Sequence, residues 1–131
     1  KRCFDGANGK TSKNLAVAQK INEKAKHRIV GLTLETRPDF ITEEEIRRMR
    51  QLGCTRVEIG VQSIDDKISK FNQRGITAEQ IAETTELLKN AGFKICYHLM
   101  PGLPKSSPQK DYQVFKPMIA AASAKYGFEV K

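Results

Sequence analysis

Three polar residues attract attention because each falls at or near the end of an apolar run, Glu35, Gln62 and His98, and a fourth, Arg74, lies in a loop between the last two. In folds built from parallel strands, those carboxyl ends are where ligands are handled. A carboxylate at Glu35 accepts hydrogen bonds from ribose hydroxyls or from a ligand ammonium group, and Gln62 both donates and accepts, which suits a ribose or an amide. Arg74 offers a guanidinium fork for a carboxylate, and Gly75 beside it lets a backbone or ligand come close. His98 is suited to a ligand contact or a proton role. Each has a purely structural alternative: bracing of the Glu35-Thr36-Arg37-Pro38 turn, a turn amide bonded to backbone, an ordinary surface arginine, a satisfied structural histidine. His27 reads as structural. Cys3, Cys54 and Cys96 lie 51 and 42 positions apart, a spacing that draws neither a clustered metal site nor a disulfide framework.

The elements that must hold these residues follow from periodicity. Leu15, Ala18, Ile21 and Ala25 recur at helical spacing after a Thr11-Ser12 start signal. Ile29 to Leu34 reads as a buried strand that ends at Glu35. Thr42 and Glu45 form the pattern of a capping box ahead of core positions Ile46, Met49 and Leu52, and Gly53 is the expected terminator. Val57, Ile59 and Val61 alternate in a second strand, a Gly-Val-Gln-Ser turn follows, and Ile64, Ile68 and Phe71 return to helical spacing. Thr77 and Gln80 make another capping box for a helix carrying Ile81, Thr84, Leu87, Leu88 and Ala91, closed by Gly92. A third strand, Phe93 to Leu99, leads into a rigid loop shaped by Pro101, Gly102 and Pro104. Pro108 opens a last helix that Pro117 is expected to kink or end. Strand alternating with helix gives an α/β fold with parallel strands and right-handed crossovers. No glycine-rich phosphate loop follows any of the strands, so the usual dinucleotide and nucleotide-hydrolase fingerprints are missing.

Length and composition bound the answer. The chain has 131 residues, 39% hydrophobic and 29% charged, which fits one ordinary globular domain and argues against disorder, collagen and coiled coil. No stretch is apolar for long enough to span a membrane, and the lysine-rich start lacks the apolar segment of a secretory signal, so a cytoplasmic protein is expected. The formal net charge is +8. Residues 1–30 hold Lys1, Arg2, Lys10, Lys13, Lys20, Lys24, Lys26 and Arg28 against Asp5 and Glu23, which is +6 of that total. This is either a solvated helix face or an electrostatic footprint for an anionic partner such as RNA.

Five runs carry a resemblance: RCFDGANG (2–9), INEKAKHRIVGLTLETRPDF (21–40), LGCTRVEIGVQS (52–63), NQRGIT (72–77) and GFKICYHLMPGLP (92–104). In order and spacing they resemble the radical S-adenosylmethionine domain of the Elongator catalytic-subunit family, which modifies the wobble uridine of tRNA. The likeness runs to about Asp111 and fades after Phe115. It implies a parallel-stranded partial (βα) barrel, an S-adenosylmethionine site, and a 4Fe-4S cluster held by cysteines near the start of the domain. It further implies a deoxyadenosyl radical that draws hydrogen from acetyl-CoA, with the acetyl-derived carbon added to C5 of the uridine. An acetyltransferase-like domain and other Elongator subunits belong to the same picture.

On that resemblance Glu35, Gln62, Arg74 and His98 are expected around the nucleoside of S-adenosylmethionine. Arg37 and the Lys10, Lys13, Lys20 and Lys24 face are expected to meet tRNA phosphates. The family's cysteine motif aligns upstream of Lys1 and its acetyltransferase-like domain downstream of Lys131. The chain is therefore expected to be an incomplete, central barrel segment that assembles no cluster by itself. The competing reading is a non-catalytic α/β module that binds tRNA or a nucleoside.

Overall fold

Strict alternation in the central strand sets the two faces of the sheet. In a strand β2 running Arg56–Gln62, Val57, Ile59 and Val61 are buried on one side, and Glu58, Gly60 and Gln62 face the other. The computed structural model describes residues 1–126. It places β2 between β1 (Thr33–Thr36) and β3 (Lys94–Leu99) in a parallel three-stranded sheet of order β1-β2-β3. Among the described residues both outer strands have a strand neighbour on one side only. Three open parallel strands with helical crossovers make a partial (βα) barrel.

Register decides which side chains meet. Glu35 of β1 is level with Glu58 of β2, and Glu58 is level with Cys96 of β3. Those three residues therefore form one row across the polar face, with His98 two positions further along β3. On the opposite face Ile59, Val57 and Leu88 are fully buried, with Cys54 and Phe93 close behind. Burial pushes the Cys54 thiol above its ordinary range, because the thiolate loses solvation there. Truncating Leu88 to alanine in such a core costs roughly 2–5 kcal/mol.

The helices are α1 (Arg2–Asn8), α2 (Leu15–Asn22), α3 (Glu43–Leu52), α4 (Asp66–Phe71), α5 (Ala78–Asn90) and α6 (Pro108–Tyr126), with one 3-10 turn at Pro38–Phe40. Thr77 and Gln80 close a complete capping box at the start of α5. At α3 only half the box forms: Thr42 accepts from the Glu45 N–H, while the Glu45 carboxylate turns to Arg48 at 3.2 Å. Gly53 takes the left-handed conformation that ends α3, with φ 86°.

Several expectations are corrected. The first strand starts at Thr33, not Ile29, and is half-exposed because it lies at the sheet edge. Val30 is 85% exposed. Upstream of the ladder the Asn22 amide holds the backbone of Ile29 at 2.8 Å in both directions, and Leu32 bonds to Thr55 instead of entering strand pairing.

The cap of α2 is Asn14 rather than the Thr11-Ser12 pair, and the helix ends at Asn22, short of Ala25. Ser12 is buried, and its hydroxyl and N–H both donate to Asp5 at the end of α1's first turn, a helix that periodicity missed. Gly60, Val61 and Gln62 belong to β2, so the turn starts at Ser63. Leu52, Phe71 and Leu87 lie exposed rather than in the core. Pro117 does not end α6, which runs on to Tyr126. A proline removes one backbone donor, which ends a helix in some settings and only kinks it in others; of the two expectations, ending is the one overturned.

Candidate functional site

The polar face of the sheet gathers the side chains that sequence reasoning picked out. His98 stands between two carboxylates: Nδ1 lies 3.1 Å from Glu35 Oε1, and Nε2 lies 2.9 Å from Glu58 Oε2. The Cys96 sulfur shares this neighbourhood, and one donor atom each from Glu58, Cys96 and His98 lies within 4.8 Å of the others. Glu35 is thus placed with His98, though in the third position of its strand rather than past the end.

Gln62 and Arg74 form the second group, at the carboxyl end of β2. Gln62 closes the strand with φ 65°, a backbone conformation that non-glycine residues adopt at a cost of order 1 kcal/mol or more. Arg74 reaches back from its loop and donates from one terminal nitrogen to the Gly60 carbonyl at 2.7 Å. Gly60 makes this approach possible, because a Cβ there would lie 3.3 Å from both the Arg74 nitrogen and the Gln62 amide nitrogen. Gln62 Oε1 and Arg74 Nε are buried without a hydrogen-bond partner. Each such orphan costs about 1–3 kcal/mol unless something supplies the missing bond.

The nucleic-acid candidates are less uniform. Lys10, Lys13, Lys20 and Lys24 are exposed, and Lys20 is paired with Glu23 at 2.9 Å. Exposed pairs of that kind contribute about 0–1 kcal/mol and exchange readily for a phosphate. Arg37 is committed locally: its guanidinium forks onto Asp39 at 2.9 and 2.8 Å and lies over the Phe40 ring. Pro101, Gly102 and Pro104 form a loop tied down on two sides. The Gly102 N–H donates to Asp111 at 2.7 Å, and the Asn72 amide donates to the Pro104 carbonyl at 3.1 Å.

Sequence reasoning missed Glu58 and Cys96. The signal was available: once Val57, Ile59 and Val61 are assigned inward, Glu58 must share the face of Gln62, and Cys96 must share that of His98.

The sequence profile of the radical SAM superfamily matches residues 9–114 of the chain. The chain belongs to the radical SAM superfamily. Among curated proteins it is similar to the tRNA uridine(34) acetyltransferase of Methanocaldococcus infernus, 54% identical over 116 residues, which is 88% of this chain and 22% of that protein. It is also similar to Elongator complex protein 3 of Drosophila melanogaster, 40% identical over 111 residues, 85% of this chain and 20% of that protein. The chain thus spans about a fifth of the length of these relatives. Among solved structures, the archaeal Methanocaldococcus infernus Elp3 lacking residues 1–46 superposes with TM-score 0.86 at 52% identity, over 90% of this chain and 28% of that one. Coproporphyrinogen III oxidase from Escherichia coli, a radical SAM enzyme, shares the fold at TM-score 0.62 and 21% identity, over 82% of this chain and 26% of its own.

The radical SAM superfamily implies two groups, and this chain fits them unequally. The orphaned Gln62 oxygen and Arg74 Nε, with the Glu35 carboxylate further down the face, match the hydroxyls and the amino-acid end of S-adenosylmethionine. The cluster is another matter, because the three cysteines do not converge. Cys3 is exposed on α1, Cys54 is buried in the core, and Cys96 is on the polar face. A 4Fe-4S cluster takes several thiolates at one place, and these residues do not supply them.

Proposed function

We propose that this radical SAM chain is the central barrel segment of a tRNA-modifying enzyme acting on the wobble uridine, and that its polar face binds S-adenosylmethionine. The observation that carries the reading is the pair of unsatisfied buried polar atoms at Gln62 and Arg74, by the carboxyl end of a parallel strand, where folds of this type handle ligands. Gln62 would meet the ribose and Arg74 the carboxylate, and in the metal-free protein Glu35 with His98 would form the remaining polar edge. When bound, the cofactor supplies the deoxyadenosyl radical. This chain's residues would orient it at the strand ends.

The finer chemistry, in which acetyl-CoA donates the carbon added to C5, is part of the same proposal, and the acetyltransferase name of the Methanocaldococcus infernus relative supports its acetyl part. Partnership with other Elongator subunits, in keeping with the name of the Drosophila melanogaster relative, and a cytoplasmic setting are proposed with it. We further infer that the chain alone is inactive, since its thiols are divided between the two faces of the sheet and the first helix. Reconstitution with iron and sulfide, read by absorption and paramagnetic resonance, is expected to yield no stoichiometric 4Fe-4S signal, and such a signal would overturn that inference.

tRNA recognition is tested by the salt dependence of binding to an anticodon stem-loop. Each lysine that meets a phosphate contributes roughly −0.9 to the slope of log K against log salt. Replacing Lys13, Lys20 and Lys24 together by glutamine is expected to flatten the slope by about 2–3 on that basis. An unchanged slope would return the lysine face to plain solvation.

A further inference from the structure

We propose that Glu58, Cys96 and His98 bind one divalent transition-metal ion of the zinc class, with Glu35 supporting His98 from the outer shell. The site lies in the register row at mid-sheet, below the Gln62 and Arg74 pair, and stands apart from the tRNA reading.

Three observations converge on it. The donor atoms of Glu58, Cys96 and His98 are mutually within 4.8 Å. Metal–ligand distances of about 2.0–2.3 Å put the donors of a tetrahedral zinc site roughly 3.2–3.7 Å apart, so small side-chain shifts close the site without moving the strands. The second observation is the direction of the imidazole. Its Nδ1 lies 3.1 Å from Glu35 Oε1 and its Nε2 lies 2.9 Å from Glu58 Oε2, so an ion bound at Nε2 would find the Glu58 oxygen beside it as a second ligand. A carboxylate on the far nitrogen of a histidine is also the arrangement that fixes the metal-binding tautomer.

The third observation is rigidity with access. All four residues stand on paired β-strands rather than loops, yet the side chains of His98 and Glu58 remain 38% and 27% exposed. An ion can therefore enter, and a fourth coordination position stays open.

The mixed donor set selects the metal. Thiolate and imidazole favour Zn2+, Co2+ or Fe2+, whereas Mg2+ and Ca2+ seek oxygen alone. Arg56 and Lys94 lie one row below on the same face and offset part of the carboxylate charge without offering a ligand atom. On binding, the Cys96 thiol releases its proton to solvent and the sulfur donates its electron pair to the ion, with no redox change.

Titration of the metal-stripped protein with Co2+ tests this directly. One equivalent is expected to raise a near-ultraviolet thiolate-to-cobalt charge-transfer band and visible d–d bands, both displaced by Zn2+. Cys96→Ser is expected to abolish the charge-transfer band, and Cys3→Ser to leave it intact. Glu35→Gln, which removes no ligand, is expected to weaken Co2+ affinity about 10–100-fold. Far-ultraviolet circular dichroism on each variant separates loss of ligand from loss of fold; should Cys96→Ser fail to fold, His98→Ala and Glu35→Gln read the same site. No charge-transfer band at stoichiometric cobalt, a band that survives Cys96→Ser, or affinity unchanged in Glu35→Gln would overturn the proposal.

Discussion

Gly60 is the residue on which the strand-end geometry turns. Any side chain there meets the Arg74 guanidinium and the Gln62 amide at 3.3 Å. Both are the far ends of flexible side chains, so they yield at modest cost, about 1 kcal/mol. Yielding nevertheless breaks the Arg74 bond to the Gly60 carbonyl and moves the two orphaned atoms apart. Gly60→Ala is therefore expected to leave denaturant stability within about 1 kcal/mol of the parent. Its affinity for S-adenosylmethionine should fall by about tenfold, a binding loss of about 1.4 kcal/mol. Calorimetric titration beside urea unfolding checks both halves. Equal loss of stability with unchanged binding would make Gly60 a packing residue only.

At this scale Glu35, Gln62 and His98 were legible because a polar residue closing an apolar run is conspicuous, and Arg74 because it stands beside a glycine in the loop that follows β2. Glu58 and Cys96 were not, because each sits inside its strand and declares its face only after the neighbours' parity is known.

Among the elements, the loop from Pro101 to Ser107 is anchored by α6 through the Asp111 carboxylate, with the Lys110 ammonium also donating to the Lys105 carbonyl at 3.4 Å. Asp111 accepts from the Ser106 hydroxyl and the Gly102 N–H, and these bonds hold its carboxyl below the usual range. A folded-state value lower than the unfolded one, about 3.9, means the stabilisation is present above that pH and is lost as pH falls through the folded value. Asp5, held low by Lys1 and Ser12, acts in the same direction at α1. Thermal melts are expected to show stability falling below about pH 4, with the fall reduced in Asp111→Asn. An identical pH profile in that variant would remove Asp111 from the account.

Helices with strong caps were legible, Thr77–Gln80 completely and Thr42 in half. The start of β1 was not, since Ile29 and Val30 have strand-like side chains and only the Asn22 grip and the sheet edge keep them out of the ladder. Local pattern carries no information about how far a neighbouring strand reaches.

At the scale of the molecule, among the described residues the sheet offers an unpaired backbone edge at β1 and another at β3. Unpaired parallel edges template pairing with other chains. Sedimentation at rising concentration is expected to reveal self-association, and a strictly monomeric profile throughout would count against it. The net charge of +8 opposes that tendency and makes association stronger as salt is added.

The shared row of Glu35, Glu58 and Cys96 has an implication for how such a chain tolerates change. The row depends on strand parity, not on the lengths of the helices between strands. Residues gained or lost in a crossover leave it intact. A single residue gained within β2 reverses every side chain beyond that point, sending polar groups into the core and apolar ones into the site. Variation in length is thus channelled into the connections, and the strands have to keep their count.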